Sequence, residues 1–266
     1  MDIKLREKSK PHFVRLSHEE IENIRMLAKA DLSLTQISVR LHVPKTTVYY
    51  HAKEYCRKMT YLKQDALSEE ERGYLVGMFV GDGTQIIEVN RGIYLTKFSL
   101  DKARDKGIVK YLQVLFAKTS KRIGERTERN SITLRIFSKE LVKYLANYVT
   151  QIEQNNTRRK KKMLINYEKW SKAFKLGFIS GLIDSDGHVY FDPKRGTRFG
   201  VLIRTADYDL RDQIISVLRS LDIATTAYLG KRHKKAYSLR PQYVIYIPTK
   251  EVNKIFGSLI AVKLKK

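Results

Sequence analysis

Two nine-residue stretches constrain this chain more than anything else in it. Leu75-Val76-Gly77-Met78-Phe79-Val80-Gly81-Asp82-Gly83 and Ile179-Ser180-Gly181-Leu182-Ile183-Asp184-Ser185-Asp186-Gly187 correspond position by position, their final aspartates 104 residues apart. Apolar residues recur at helical spacing in both: Tyr74, Leu75, Met78 and Phe79 share one face, as do Leu176, Ile179, Leu182 and Ile183. Gly77 and Gly181 sit mid-helix, where glycine costs about 1 kcal/mol against alanine. That cost makes sense where a second helix passes very close. Two helices packed through these glycines bring their C-terminal ends together, and each end is an aspartate followed by a glycine able to stop the helix. A single Asp-Gly is read as a helix stop and turn. Two in matched contexts place two carboxylates side by side, an arrangement that persists readily when a cation bridges them. Hard oxygen ligands suit Mg²⁺, and two metals about 4 Å apart can stabilise the attacking and leaving oxygens of phosphodiester hydrolysis.

Both stretches resemble the signature of the LAGLIDADG homing endonucleases, in the monomeric form that carries two motifs, and the resemblance covers about residues 68–262. It implies an α+β fold: a duplicated α-β-β-α-β-β-α unit with pseudo-two-fold symmetry and saddle-shaped antiparallel sheets. It also implies Mg²⁺-dependent, site-specific cleavage of double-stranded DNA that leaves short 3′ overhangs. Asp82 and Asp186 would be the metal ligands, assisted by the backbone carbonyls of Gly81 and Ser185. The family places a basic residue near each metal, at the turn before the last helix of each half, and Lys139 and Lys250 fit that place. A lysine at a helix start opposes the helix dipole, so its recurrence favours a function. Asp101 and Asp207, before each middle helix, are read as N-caps. The copies differ at the first acidic position, which holds Asp184 in the second and Val80 in the first.

The rest of the chain repeats as the motifs do. Helical and strand-like runs follow each motif in the order α-β-β-α-β-β-α, and Ser138-Lys139-Glu140-Leu141 parallels Thr249-Lys250-Glu251-Val252. The halves are expected at 68–150 and 172–266, with a basic linker at 151–171 containing Arg158-Arg159-Lys160-Lys161-Lys162. This run is expected to contact phosphates. In the second half Phe199, Val201 and Ile203 alternate with Arg198, Gly200, Leu202 and Arg204. One row would pack beneath the helices; the other, continued by His188, Tyr190 and Asp192, would face the major groove. The register of Ile93–Leu100 is not fixed by its pattern. Arg122, Arg126, Arg135, Lys231, Arg232, Lys234 and Arg240 are further candidates for phosphate or guanine contacts.

Residues 1–62 are expected to form a separate helix-turn-helix DNA-binding domain. Ser17 and Glu20 make a capping box, Val43-Pro44 breaks a short second helix, and a third helix would present Lys45, Thr46, Thr47, Tyr49, Tyr50 and Lys53 to DNA. Twelve basic against seven acidic side chains in this segment fit a polyanionic partner.

Composition narrows the classes further. A formal charge of +24 over 266 residues favours nucleic acid. The single cysteine, Cys56, excludes an intramolecular disulfide framework and fits a reducing, intracellular place such as the cytoplasm, nucleoid or an organelle matrix. No apolar run approaches the ~20 residues of a membrane span. No phosphate-cradling glycine loop and no serine or cysteine nucleophile constellation occurs. Two other readings stand beside the nuclease: a non-cleaving DNA-binding regulator on the same fold, and a maturase that binds structured intron RNA.

Overall fold

The structure is a computed structural model that describes residues 16–30, 32–55, 64–119, 123–153, 160–192, 198–230 and 242–265. The chain divides into two units, residues 1–60 and 61–266, each with a core of its own. In the first unit α1 (His18–Lys29) begins at the Ser17–Glu20 capping box, and α2 (Leu34–Leu41) begins at a second box, Ser33–Gln36. Helix α2 stops at His42, which takes the left-handed conformation, and after Val43 and Pro44 the chain enters α3 (Lys45–Ala52). Ile24, Ala28, Ile37, Val43, Val48 and Ala52 close the core between the three helices.

In the second unit the Ser68–Glu71 capping box starts the first motif helix α4 (Glu69–Asp82). Strands β1 (Gly83–Glu88) and β2 (Ile93–Asp101) follow, then α5 (Lys106–Lys118), β3 (Gly124–Glu128), β4 (Ser131–Phe137) and α6 (Lys139–Ala146). The second motif helix α7 (Lys172–Ser185) leads to β7 (Gly187–Asp192), β8 (Arg198–Thr205), α8 (Tyr208–Arg219), β9 (Thr226–Leu229), β10 (Tyr243–Ile247) and α9 (Thr249–Ile255). Two antiparallel four-stranded sheets result, of order β1-β2-β4-β3 and β7-β8-β10-β9. The identical order is the duplication made visible. Phe98 and Leu134 of the first sheet and Ile203 and Ile245 of the second enter one core with Leu112, Phe116, Ile214 and Leu218 of the covering helices.

Between the halves the structure corrects one expectation. The basic segment is not a plain linker: β5 (Val149–Glu153) and β6 (Lys160–Leu164) pair as an antiparallel hairpin. Leu164 is pinned at both its N–H and its C=O by the amide of Gln213 on α8. A second correction concerns Asp101, which does not cap a helix. It ends β2 and accepts the N–H groups of Ala103 and Arg104 in a tight turn, so α5 starts only at Lys106. Asp207 does cap α8, accepting from the N–H groups of Asp209 and Leu210.

Candidate metal centre and nucleic-acid face

Helices α4 and α7 touch backbone to backbone. A Cβ on Gly77 would lie 2.2 Å from the carbonyl oxygen of Phe178, and one on Gly181 2.3 Å from that of Tyr74. No side chain fits there, so the glycines set the approach. Gly73 and Gly177 repeat the contact one turn earlier, against Phe174 and Glu70. Sequence reasoning singles out neither of these earlier glycines, although each lies four residues before its partner and so on the same face.

This approach delivers both motif aspartates to one spot. Asp186 Oδ2 lies 3.1 Å from where a Cβ on Gly81 would stand. Burial first, and then the charge of Asp186, pushes the Asp82 carboxyl up to about 7; burial likewise raises Asp186, which keeps an open side to solvent. Two lysines oppose the rise. Lys162 of β6 donates to the carbonyls of Phe79 (2.6 Å), Val80 (3.1 Å) and Gly83 (2.5 Å), at the C-terminal end of α4. Lys263 donates to those of Ser185 (3.1 Å) and Gly187 (3.0 Å), at the end of α7. Both charges lower the Asp82 and Asp186 carboxyls, and burial brings Lys162 down to about 8. Each lysine thus bonds to carbonyls at a helix C-terminal end, where positive charge is favourable, and each lies near enough to the carboxyls to lower them.

Sequence reasoning misses both lysines in this role: it puts Lys162 in a phosphate-contacting run and gives Lys263 no role. The signal that could have found them is their separation of 101 residues, close to the motif offset. Lys139 and Lys250 stand elsewhere along the two sheets, near the starts of α6 and α9. Gly83, Phe98 and Leu134 lie side by side across the first sheet, as Gly187, Ile203 and Ile245 do across the second. Lys139 comes five residues after that row, past three strand residues, and Lys250 five residues after it, past two, so their backbones start roughly 7–10 Å along the sheets from the row. Lys139 rests over the Tyr94 ring at 5.2 Å. Among the proposed carbonyl ligands, that of Ser185 is engaged by Lys263.

The fit to a divalent cation follows from the donor set. It comprises two carboxylates crowded against each other and backbone oxygens, with no cluster of three or more His, Cys, Asp or Glu among the described residues. Two carboxylates with room for water suit Mg²⁺, which retains several waters. They do not suit zinc, which prefers four nitrogen or sulfur ligands.

The sheet faces turn out as the alternation predicts where it is legible. His188, Tyr190, Gly200, Leu202, Arg204 and Tyr246 share the face away from the core, and Tyr190 and Tyr246 are joined through their hydroxyls at 3.1 Å. The first sheet's register is now fixed: Lys97 faces Arg135 and Thr84, and Arg126 faces Thr133, all on the outer side. Arg135 lies over the exposed Phe137 ring at 5.4 Å, and Arg126 pairs with Glu128 at 2.6 Å. On α3, Lys45, Thr46, Tyr49 and Tyr50 are exposed and Thr47 is half-buried; Lys53, at the C-cap of the helix, is exposed too, its amine 5.2 Å from the Tyr50 ring centre. Arg198 opens β8 and Lys160 opens β6. Arg122, Arg158, Arg159, Lys231, Arg232, Lys234 and Arg240 lie outside the described residues.

Known proteins share this fold. Residues 173–259 match the family model of the LAGLIDADG-like domain. Comparison with curated protein sequences finds no match. Among solved structures, I-DmoI in complex with its target DNA and Mg is similar at 19% identity and a TM-score of 0.51, over 73% of this chain and 97% of that one. I-DmoI with DNA and Mn gives 20%, 0.51, 73% and 97%. I-WcaI bound to its DNA recognition sequence gives 17% and 0.51, over 81% of this chain and 90% of that one. Residues 173–259 are thus LAGLIDADG-like, and the structural matches show the fold of the two-motif LAGLIDADG endonucleases.

Proposed function

We propose that this protein is a divalent-metal-dependent endonuclease that cuts both strands of duplex DNA at a specific site, working as a monomer. The observation that carries the reading is the pair Asp82 and Asp186 at the touching ends of α4 and α7, flanked by Lys162 and Lys263. Asp82 and Asp186 would hold Mg²⁺, with the Gly81 and Ser185 carbonyls at hand; bound there, the metal supplies charge stabilisation at a scissile phosphate. Lys162 and Lys263 keep the two carboxylates together before metal arrives and hold positive charge where the attacked phosphate gains negative charge. The outer faces of the two sheets supply Lys97, Arg126, Arg135, His188, Tyr190 and Arg204 to the groove and backbone. Duplication gives each strand its own half of the site, and the offset between the cuts leaves short 3′ overhangs.

The DNA that the matching endonucleases hold, and the net charge of +24, support duplex DNA as substrate. In the first unit, two helices joined by the tight turn at His42–Pro44 and the exposed basic-aromatic face of α3 support a helix-turn-helix DNA-binding role. A matched set of variants tests the catalytic assignment. Lys162→Met and Lys263→Met should each slow cleavage by about 10²-fold, with DNA affinity little changed. Lys139→Met and Lys250→Met should cut near the parental rate. The reverse ranking would return the role to the helix-start lysines.

A further inference from the structure

The two motif copies differ most tellingly at two buried positions. Val76 and Val80 of α4 are apolar, whereas their counterparts on α7 are Ser180 and Asp184, both 0% exposed. Polar groups shut away from water need partners, and these two find them in one place. Ser180 Oγ accepts from the N–H of Ile260 at 3.1 Å. One turn further, Asp184 accepts the N–H groups of Val262 (2.7 Å) and Lys263 (2.8 Å), and the Tyr74 hydroxyl at 2.8 Å. Residues 260–263 belong to no strand; the regular structure around them is two single 3₁₀ turns, at 256–258 and 262–265. Leu259 and Ala261 pack into the core, the polar pair on α7 takes up the segment's backbone N–H groups at 260, 262 and 263, and the segment carries Lys263 to the carbonyls of Ser185 and Gly187.

The first half solves the same problem by other means. Lys162 sits on β6, which pairs along its length with β5, from Val149–Leu164 to Glu153–Lys160. Gln151 of that hairpin also bonds to Gln85 of β1 at 3.2 Å. A strand ladder therefore holds one lysine, and a buried carboxylate holds the other. With a ladder in place, α4 has no use for an acid at position 80.

We propose that Asp184 is a positioning residue for one half of the site alone: it locks the segment that delivers Lys263, so its loss disables the cut in one strand and turns a double-strand break into a nick. The proposal rests on the nuclease reading above. A carboxylate suits the task because both oxygens accept, whereas an asparagine offers one acceptor and turns an NH₂ group toward the remaining N–H. Charge adds to the strength of these bonds as well.

The test uses full-length Asp184→Asn, with Asp184→Val as a second variant, since Val80 shows valine accommodated at the equivalent place in the same helix pair. Amide exchange by NMR is the readout independent of catalysis. Exchange at Val262 and Lys263 should rise by about tenfold or more, while the interiors of α4 and α7 keep their protection. On a supercoiled plasmid bearing a cleavage site selected with the parental protein from a randomised duplex library, and with Mg²⁺, nicked circles should accumulate, the nick lying in the strand that remains cut in Lys263→Met. Tyr74→Phe, which keeps both backbone bonds to Asp184, should retain the parental strand ratio. Unchanged exchange at 262 and 263 would overturn the proposal. So would equal slowing of both strands with general loosening of α4 and α7, or a strand bias in Tyr74→Phe as large as that in Asp184→Asn. A parental chain that cuts no DNA would instead overturn the nuclease reading, and the exchange result would still decide whether Asp184 holds the segment.

Discussion

At the scale of single residues, the centre is a matter of charge held under tension. Burial raises both carboxyls at the touching helix ends; the charge of Asp186 adds to the rise at Asp82, which reaches about 7 against an ordinary value of 3.8. A carboxyl whose folded value is raised binds its proton more readily folded than unfolded. Its contribution therefore favours the folded state at low pH and is lost as pH rises from about 4 through about 7. Asp82→Asn removes that loss, so it should raise the melting temperature of metal-free protein at pH 8 and have little effect at pH 4. A cation needs both carboxyls deprotonated. The melting-temperature gain from Mg²⁺ should accordingly be large at pH 8, shrink as pH falls through about 7, and vanish in Asp82→Asn. A Mg²⁺ gain equal in parent and variant would move the metal elsewhere. The aspartates are legible in the sequence because helical periodicity carries a residue to a helix end without any knowledge of tertiary contacts. Lys162 and Lys263 are not. Each reaches its helix end from a distant segment, one on a hairpin strand and one on an irregular segment, and neither context has a periodicity to betray it.

Between elements, the decisive contact is α4 on α7. Gly77→Ala would place a methyl 2.2 Å from the Phe178 carbonyl, and the obstacle is backbone, which cannot swing away. Separating the helices should cost about 3 kcal/mol, or roughly 5–10 °C in melting temperature for a chain of this size. It should also weaken the Mg²⁺ effect by parting the aspartates. An unchanged melting curve would show that the helices do not approach so closely. Strand pairing is the other element-level result. In β8 the alternation of Val201 and Ile203 with Gly200, Leu202 and Arg204 assigns the faces from sequence alone. In β2 it does not, because Leu95 and Thr96 are adjacent and both buried, so no simple alternation marks the outward row. The hairpin β5-β6 is hidden for a related reason: a run of basic residues carries no apolar alternation, and nothing in the sequence sets Lys162 apart from its neighbours.

For the whole molecule, the two units have separate cores, and both aspartates and all four candidate lysines belong to the second. A chain beginning at Tyr61 should therefore fold and still cut DNA at high protein concentration. Removing the first unit should weaken binding and shorten the footprint on one flank. It should also flatten the plot of log affinity against log salt by about 0.9 for each phosphate that the first unit neutralises. An unchanged salt slope and footprint would remove the first unit from DNA binding. None of the described helices is long and apolar enough to cross a membrane. The measurement that bears most directly on the whole account is sequencing of cut ends after the full-length protein meets a randomised duplex library with Mg²⁺. The account predicts paired ends with short 3′ overhangs converging on one site. It also predicts that these ends disappear with a chelator and in both Asp82→Asn and Asp186→Asn, while both variants still retain the site in a pull-down. Duplexes bound but never cut, or cut equally well by both variants, would contradict it.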